Sequence, residues 1–197
     1  LTDEIINFVA NSKHFAPHFH IPLQSGSNEV LQLMKRRYTR ELFAQKIQTI
    51  KTILPHAFIG VDVIVGTRGE KAAYFEDARQ FIESLDISQL HVFSYSERAG
   101  TKALEIEQPV SLQDKIMRSE ILHAVSDKKT SAFYQSQIGK QADVLWESTK
   151  KGKFMHGFTK NYIRVIAPYN KALINTLQTV TLMGFSEEDN TFALTIK

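Results

Sequence analysis

The stretch Ile59-Gly-Val-Asp-Val-Ile-Val65 decides the fold of this chain. It is too short for a typical helix, rich in β-branched residues and bounded by turn residues, so it predicts a strand. Phe19–Leu23 and Leu90–Ser94 have the same character. Amphipathic helix patterns lie between the strands, at 28–36, 39–53 and 71–85. This strand–helix–strand alternation predicts parallel pairing with right-handed crossovers, and hence an α/β sheet or barrel.

The pattern changes after Gly139, where short strands alternate with turns. The predicted strands are Gln141–Glu147, Lys153–Gly157, Asn161–Ile166, Thr176–Met183 and Thr191–Ile196. About 60 residues of short antiparallel strands indicate a small all-β barrel. A long helix, roughly from Leu112 to Gln137, precedes this part. We therefore predict an α/β domain over residues 1–137 and a β-domain over residues 138–197.

Composition narrows the possible chemistry. The chain has no cysteine, which excludes disulfides and cysteine-ligated clusters within its 197 residues. It has neither a signal-peptide pattern nor an apolar run near the roughly 20 residues that cross a bilayer, so we expect a cytoplasmic protein. Because the sequence opens without methionine, in what reads as a helix, we expect it to be a piece of a longer protein.

The net charge of +3 lies entirely in the last third of the chain. Residues 138–197 carry eight basic and five acidic side chains, whereas the two signs balance in residues 1–137. A basic excess is expected of a part that meets a polyanion. An excess of three charges is also compatible with an ordinary solvated surface.

Asp62 is the residue that least fits a structural role. It interrupts the apolar run of a strand that we expect to be buried on both faces, where an unpaired carboxylate is costly. Ligands bind at the carboxyl ends of parallel strands, and an acceptor-only carboxylate suits a ribose diol. The alternative is a structural aspartate bonded to a neighbouring strand or to water. The next loop, Gly66–Glu70, has two glycines that permit close approach to a ligand or serve the turn alone.

Other candidates lie near the same strand ends. His18, His20 and Gln24 fall on one face of the first strand, where the Gln24 amide could orient a nucleoside or an amino acid. The two histidines could instead bind a metal, but no acidic or cysteine partner is near them in sequence, and we predict no metal site. An arginine of Lys35-Arg36-Arg37 could clamp a carboxylate, or all three could be solvated cations. The loop Ser94–Thr101 is either a substrate contact or a connection.

Cations and aromatic residues interleave in the β-domain. Cations for phosphates beside rings for base stacking are the ingredients of RNA binding on a small barrel. The candidate RNA-binding residues are Lys150, Lys151, Lys153, Lys160, Tyr162 and Arg164. The cations of this segment also include His156, and its aromatic residues also include Phe154 and Phe158. The alternative places the aromatic rings in the core and the lysines on solvated turns.

Four stretches together resemble the radical S-adenosylmethionine methylthiotransferases. They are HIPLQSGSNEVLQLMKRRYT from His20, DVIVGTRGE from Asp62, LHVFSYSERAGT from Leu90 and HGFTKNYIRV from His156. The first is specific to methylthiotransferases. The last favours the branch that modifies threonylcarbamoyladenosine beside the tRNA anticodon over the isopentenyladenosine and ribosomal-protein branches. A non-catalytic RNA-binding module remains an alternative.

The resemblance implies a fold and an activity. Residues 1–137 would be the later half of a partial (β/α) barrel of the radical S-adenosylmethionine type, and residues 138–197 a TRAM-like β-barrel that contacts tRNA. The full-length enzyme would add a methylthio group to adenine with S-adenosylmethionine and two iron–sulfur clusters. Since the cluster ligands are absent here, we expect this chain alone to be inactive. The open edge of a half barrel also predicts self-association.

The resemblance also implies cofactor contacts. Gln24 and Asp62 would meet the ribose of S-adenosylmethionine, and Arg36 its carboxylate. The backbone of Val92, Phe93 and Ser94 would meet the adenine. In the loop that the family usually writes GFPGE, Thr67 and Arg68 replace phenylalanine and proline.

Overall fold

A computed structural model describes residues 1–151, 153–185 and 194–196, apart from the side chains of residues 149–151. The α/β part contains α1 (Asp3–Asn11), β1 (His18–Gln24), α2 (Asn28–Leu33), α3 (Arg40–Ile53), β2 (Phe58–Val65), α4 (Ala72–Ser84), β3 (Gln89–Ser94) and α5 (Leu112–Gln135). The β part contains β4 (Gln141–Lys151), β5 (Phe154–Thr159), β6 (Arg164–Pro168), β7 (Leu177–Phe185) and β8 (Leu194–Ile196). None of the described helices is long and apolar enough to cross a membrane.

The first three strands form a parallel sheet in the order β1-β2-β3. Residues of the helices pack against one face of this sheet. That face contains the alternate residues of β2, which are Ile59, Val61, Val63 and Val65. Residues of α1, α3, α4 and α5 complete that core. The predicted α/β class is confirmed.

The other face of this sheet, which we call the open face, is partly exposed. Asp62 and Ile64 point to it from β2, and Phe93 points to it from β3 with 53% of its surface exposed. The prediction that the central strand is buried on both faces is therefore wrong. An apolar strand sequence indicates that at least one face of the strand is covered. It does not indicate whether the second face is covered, because that depends on how other elements pack.

The last five strands close into a barrel in the order β4-β5-β6-β8-β7. Trp146 is fully buried at its centre, together with Val144, Met155 and Val165. The predicted small barrel is confirmed. β6 begins later than predicted, at Arg164, because Tyr162 has φ 63° and the Thr159 hydroxyl accepts the Ile163 N–H in a tight turn. The predicted strand Thr191–Ile196 lies partly outside the described residues, which include Leu194–Ile196.

The barrel packs against the amino ends of β1 and β2. Phe58, at the start of β2, makes edge contacts with Phe133 of α5 and with Tyr162, at centroid distances of 5.3 and 5.6 Å. The Asn161 amide donates to the His56 carbonyl at 3.0 Å. The predicted boundary near residue 138 falls between α5 and β4. Because the barrel adjoins the amino ends, the carboxyl ends of the strands lie at the far side of the sheet.

Candidate functional site

Gln24 and Arg36 meet at the carboxyl end of β1. The pairing register shifts between Pro22 and Gln24, and Gln24 has φ 69°. After the end of helix α2, Lys35 has φ 54° and the Arg36 N–H bonds back to the Leu31 carbonyl at 2.9 Å, as in a Schellman motif. This turn directs the exposed Arg36 to β1, where its Nη2 donates to Gln24 Oε1 at 2.9 Å. The remaining guanidinium donors are available for an anion.

Asp62 lies mid-strand on the open face, with 23% of its side chain exposed. In the sheet it stands beside Pro22 of β1 and His91 of β3. Its Oδ1 is 2.5 Å from Nε2 of His20, which can donate to it. The structural alternative considered for Asp62, a bond to a neighbouring strand, is therefore present. Its partial exposure leaves the carboxylate accessible from the open face as well.

His91 joins this pair from β3. Its ring stacks on that of His20, with centroids 4.7 Å apart and planes 23° apart. Burial lowers the pKa of His91, and repulsion by His20 lowers it further, although Asp62 opposes both effects. Burial, followed by repulsion from His20 and His91, also lowers the pKa of His18. His18 and His91 are therefore biased towards the neutral form.

The residues Val92 to Ser94 follow the free edge of the sheet. The Tyr95 N–H donates to the Val65 carbonyl of β2. Along a parallel strand, the backbone groups of successive residues point alternately to the two sides, so those of Val92 and Ser94 point away from β2. Farther back on this edge, the Ser126 hydroxyl bonds both the N–H and the carbonyl of Leu90. The Val92 side chain packs against the core, and the Phe93 ring lies on the open face. The peptide groups of Val92 and Ser94 thus face away from β2. Those of Phe93 face β2, contrary to the expectation that its backbone meets the adenine.

A buried ion pair holds the loop that follows β2. Glu70 Oε2 accepts hydrogen bonds from the Gly66 N–H at 2.6 Å and from Arg118 Nη1 at 2.7 Å. Burial raises the pKa of Glu70, while Gly66 and Arg118 oppose that effect. Arg68, one of the two departures from the family loop, donates from Nη1 to Glu97 at 2.7 Å. The loop is therefore fixed from α5 and from the segment after β3.

The candidate RNA-binding residues fall into different environments. Lys153 and Lys160 are exposed, and Lys160 pairs with Asp143 at 2.9 Å. Arg164 is half-buried. The candidate side chains of Lys150 and Lys151 lie outside the described residues. His156, which we expected among the exposed cations, is buried.

Tyr162 takes part in the contact between the two parts of the chain. Its ring stacks on His18 at 4.4 Å and on Phe158 at 5.1 Å, with interplanar angles of 13° and 20°. A ring already stacked on two partners is not presented to an RNA base. Base stacking on this ring would require it to leave His18 or Phe158. Because 46% of Tyr162 is exposed, a contact with RNA stays a prediction.

These features define a class of protein: a parallel α/β sheet with polar groups at its carboxyl ends, joined to a small β-barrel that bears cations. No protein-family model matches the chain. The chain is 36% identical over 184 residues to the tRNA-2-methylthio-N(6)-dimethylallyladenosine synthase of Desulfitobacterium hafniense, which covers 92% of this chain and 41% of that protein. It is 32% identical over 203 residues to the threonylcarbamoyladenosine tRNA methylthiotransferase of Bacillus subtilis, covering 100% of this chain and 45% of that protein.

A third relative, the threonylcarbamoyladenosine tRNA methylthiotransferase of Aquifex aeolicus, is 37% identical over 142 residues, which cover 72% of this chain and 35% of that protein. The chain belongs to the tRNA methylthiotransferase family, as its motifs predict. It spans less than half the length of these three relatives.

Proposed function

We propose that the chain is the C-terminal part of a radical S-adenosylmethionine tRNA methylthiotransferase. The whole protein would add a methylthio group to the adenine ring of threonylcarbamoyladenosine beside the anticodon, and its iron–sulfur clusters would be held by residues outside this sequence. The observation that carries the proposal is the register of the sheet, in which Gln24, Val63 and Val92 lie level on the three strands, with Asp62 one residue before Val63 and Arg36 bonded to Gln24. The proposed location is the cytoplasm, where tRNA is modified.

The groups present fit the parts of S-adenosylmethionine. Arg36 would bind its carboxylate, since the guanidinium has free donors and Gln24 fixes its orientation. Asp62 would accept from the ribose hydroxyls, because an ionised carboxylate only accepts. The peptide groups of Val92 and Ser94 would bind the adenine edge. Bound S-adenosylmethionine would supply radical formation and the methyl group, and these residues would hold and orient it.

The barrel would hold tRNA at a distance from this site. It adjoins the amino ends of β1 and β2, whereas Gln24 and Arg36 lie at the carboxyl end of β1. A strand of seven residues separates these ends by roughly 20 Å. The barrel would therefore bind a part of the tRNA away from the reacting adenosine, which agrees with a positioning role.

The choice of substrate rests on the motif HGFTKNYIRV, which resembles the threonylcarbamoyladenosine branch. Relatives named for either tRNA nucleoside are similar to this chain. The isopentenyladenosine and ribosomal-protein branches are therefore retained as alternatives. A non-catalytic RNA-binding module is a further alternative of a different class.

Iron content separates an enzyme from a binding module. The full-length protein, purified without oxygen and reconstituted with iron and sulfide, should hold iron at the level of two clusters per chain. The reconstituted protein should also bind S-adenosylmethionine. A full-length protein that binds tRNA but neither iron nor S-adenosylmethionine would support the binding module and contradict the proposal.

Replacing Lys153 and Arg164 with glutamine should weaken tRNA binding. Each lost phosphate contact should lower the slope of log affinity against log salt by about 1. Lys160 is left unchanged because Asp143 already neutralises part of its field. The matched control replaces Lys102 and Lys128, which are exposed cations of the α/β part. Anisotropy titrations with a tRNA transcript at several salt concentrations would measure both slopes; equal slopes for the two double variants would contradict an RNA-binding role for the barrel cations.

The chain should self-associate through an outer strand edge. Among the described residues, β1 and β3 each have one edge without a partner strand. Unpaired edges with outward peptide groups are templates for pairing with a second chain. Light scattering should therefore give a mass above 22.5 kDa that falls on dilution. A mass of one chain at every concentration would contradict this expectation.

A further inference from the structure

Three potential metal ligands come together on the open face, one from each strand of the sheet. They are His20 of β1, Asp62 of β2 and His91 of β3. Each offers one ligand atom, and these atoms all lie within 4.8 Å of one another. The cluster is reachable, since 51% of the His20 side chain is exposed.

The backbone beneath the cluster leaves space for both imidazoles. In the sheet, His20 stands beside Gly60. A Cβ atom built on Gly60 would lie 3.2 Å from Nε2 of His91, a closer contact than side chains ordinarily make. Glycine therefore lets the His91 ring lie over the central strand and approach His20. A strand-forming residue with a side chain would crowd this place.

We propose that His20, Asp62 and His91 form a site for a divalent transition-metal ion such as Zn²⁺. Two imidazoles and one carboxylate are a ligand set for Zn²⁺, Co²⁺ or Fe²⁺, and they disfavour Mg²⁺ and Ca²⁺, which prefer oxygen. Three protein ligands leave at least one position open for water or a substrate group. Small side-chain rotations would bring the three ligand atoms to about 2.0–2.2 Å from one ion.

Two geometric observations distinguish this cluster from an ordinary His–Asp hydrogen bond. A hydrogen bond needs one histidine, whereas a second imidazole stacks on the first beside the same carboxylate. The lack of a side chain at Gly60 also leaves room for the ring of His91 at this place. The site goes beyond the proposed function but shares Asp62 with the proposed ribose contact, whereas His20 and His91 have no part in the proposed cofactor binding.

Titration of the untagged 197-residue chain with Zn²⁺ by calorimetry, and with Co²⁺ by absorption spectroscopy, tests the proposal. One ion should bind per chain. His20→Ala, Asp62→Asn and His91→Ala should each weaken binding by about tenfold or more. The matched control is His123→Ala, which removes an exposed histidine of α5 and should leave the affinity unchanged. Since the chain has no cysteine, thiolates cannot contribute to the signal.

Gly60→Ala provides a second test that keeps all three ligands. The added Cβ would crowd His91 Nε2 and should also weaken binding relative to His123→Ala. Thermal melts of each metal-free variant establish that it is folded. Absence of binding to the unaltered chain, or binding that survives all four substitutions, would overturn the metal site. Failure of the metal site would leave the proposed function standing, because binding of S-adenosylmethionine is measured on the full-length protein without added metal and does not require His20 or His91.

Discussion

Replacing Arg118 with methionine is expected to lower the free energy of unfolding by about 3–5 kcal/mol. The side chains of Arg118 and Glu70 are only 6% and 2% exposed, and Nη1 contacts both Oε2 and the carbonyl of Glu70. The substitution leaves a buried carboxylate without its cation. Urea denaturation followed by circular dichroism would measure the loss.

Arg79 provides the control, since it forms ion pairs with Glu76 and Glu83 on the surface of α4. Arg79→Met should leave the melting temperature nearly unchanged because solvent screens exposed pairs. Adding Glu70→Gln to Arg118→Met should recover part of the stability. If Arg118→Met and Arg79→Met behaved alike, the buried pair would not be holding the loop.

The loss of stability in Arg118→Met should also depend on pH. Burial raises the pKa of Glu70, and removal of the opposing cation raises it further. The pKa of such a carboxyl is higher in the folded state than in the unfolded state. Its contribution to stability is therefore fully present below the unfolded pKa and is lost as the pH rises through the folded pKa. The destabilisation should therefore be smaller near pH 4.5, the ordinary glutamate pKa, than at neutral pH.

Asp62→Asn in the full-length protein is expected to lower the affinity for S-adenosylmethionine about 10- to 100-fold. Hydrogen bonds to a charged group contribute about 1.5–3 kcal/mol, and the amide replaces one acceptor oxygen with a donor. Because Asp62 lies on the open face, the substitution should leave the thermal transition near that of the unaltered protein. Calorimetry with S-adenosylmethionine would measure the affinity.

Asp127→Asn, which changes an exposed acid of α5 in the same way, is the control for Asp62→Asn. It should bind S-adenosylmethionine like the unaltered protein. Unchanged affinity in Asp62→Asn would contradict the cofactor role. Loss of the thermal transition in Asp62→Asn would instead make Asp62 a structural residue whose partner is His20.

The strands and helices of the α/β part could be predicted because each is long enough to show its own hydrophobic period. The strands of the barrel were predicted less closely, since β6 is delayed by the positive φ of Tyr162, which no hydrophobic pattern reveals. The contacts of Asn161 and Tyr162 with the α/β part were not predicted, because nothing in the local sequence pattern reveals a partner from another part of the chain. Their actual partners, His56 and His18, come from the other part of the chain.

The candidate site was predicted only in part. Gln24, Arg36 and Asp62 were assigned to one cofactor only through the family resemblance, and the bond between Gln24 and Arg36 was not predicted. His20 and Asp62 are 42 residues apart and meet only through the strand register. The acidic partner that the histidines lacked in the sequence is therefore supplied by the fold. Arg118 carried no sequence signal, because an arginine in a long helix is usually solvated.

Nucleoside mass analysis of tRNA tests the central claim most directly. A strain that lacks the gene for the full-length protein should lose the methylthio group from threonylcarbamoyladenosine and keep the unmodified threonylcarbamoyladenosine. Expression of the full-length protein should restore the group, and the Asp62→Asn form should restore it poorly. If threonylcarbamoyladenosine kept its methylthio group in the deletion strain, the proposed substrate would be contradicted; loss of the group from isopentenyladenosine instead would assign the protein to the other tRNA branch.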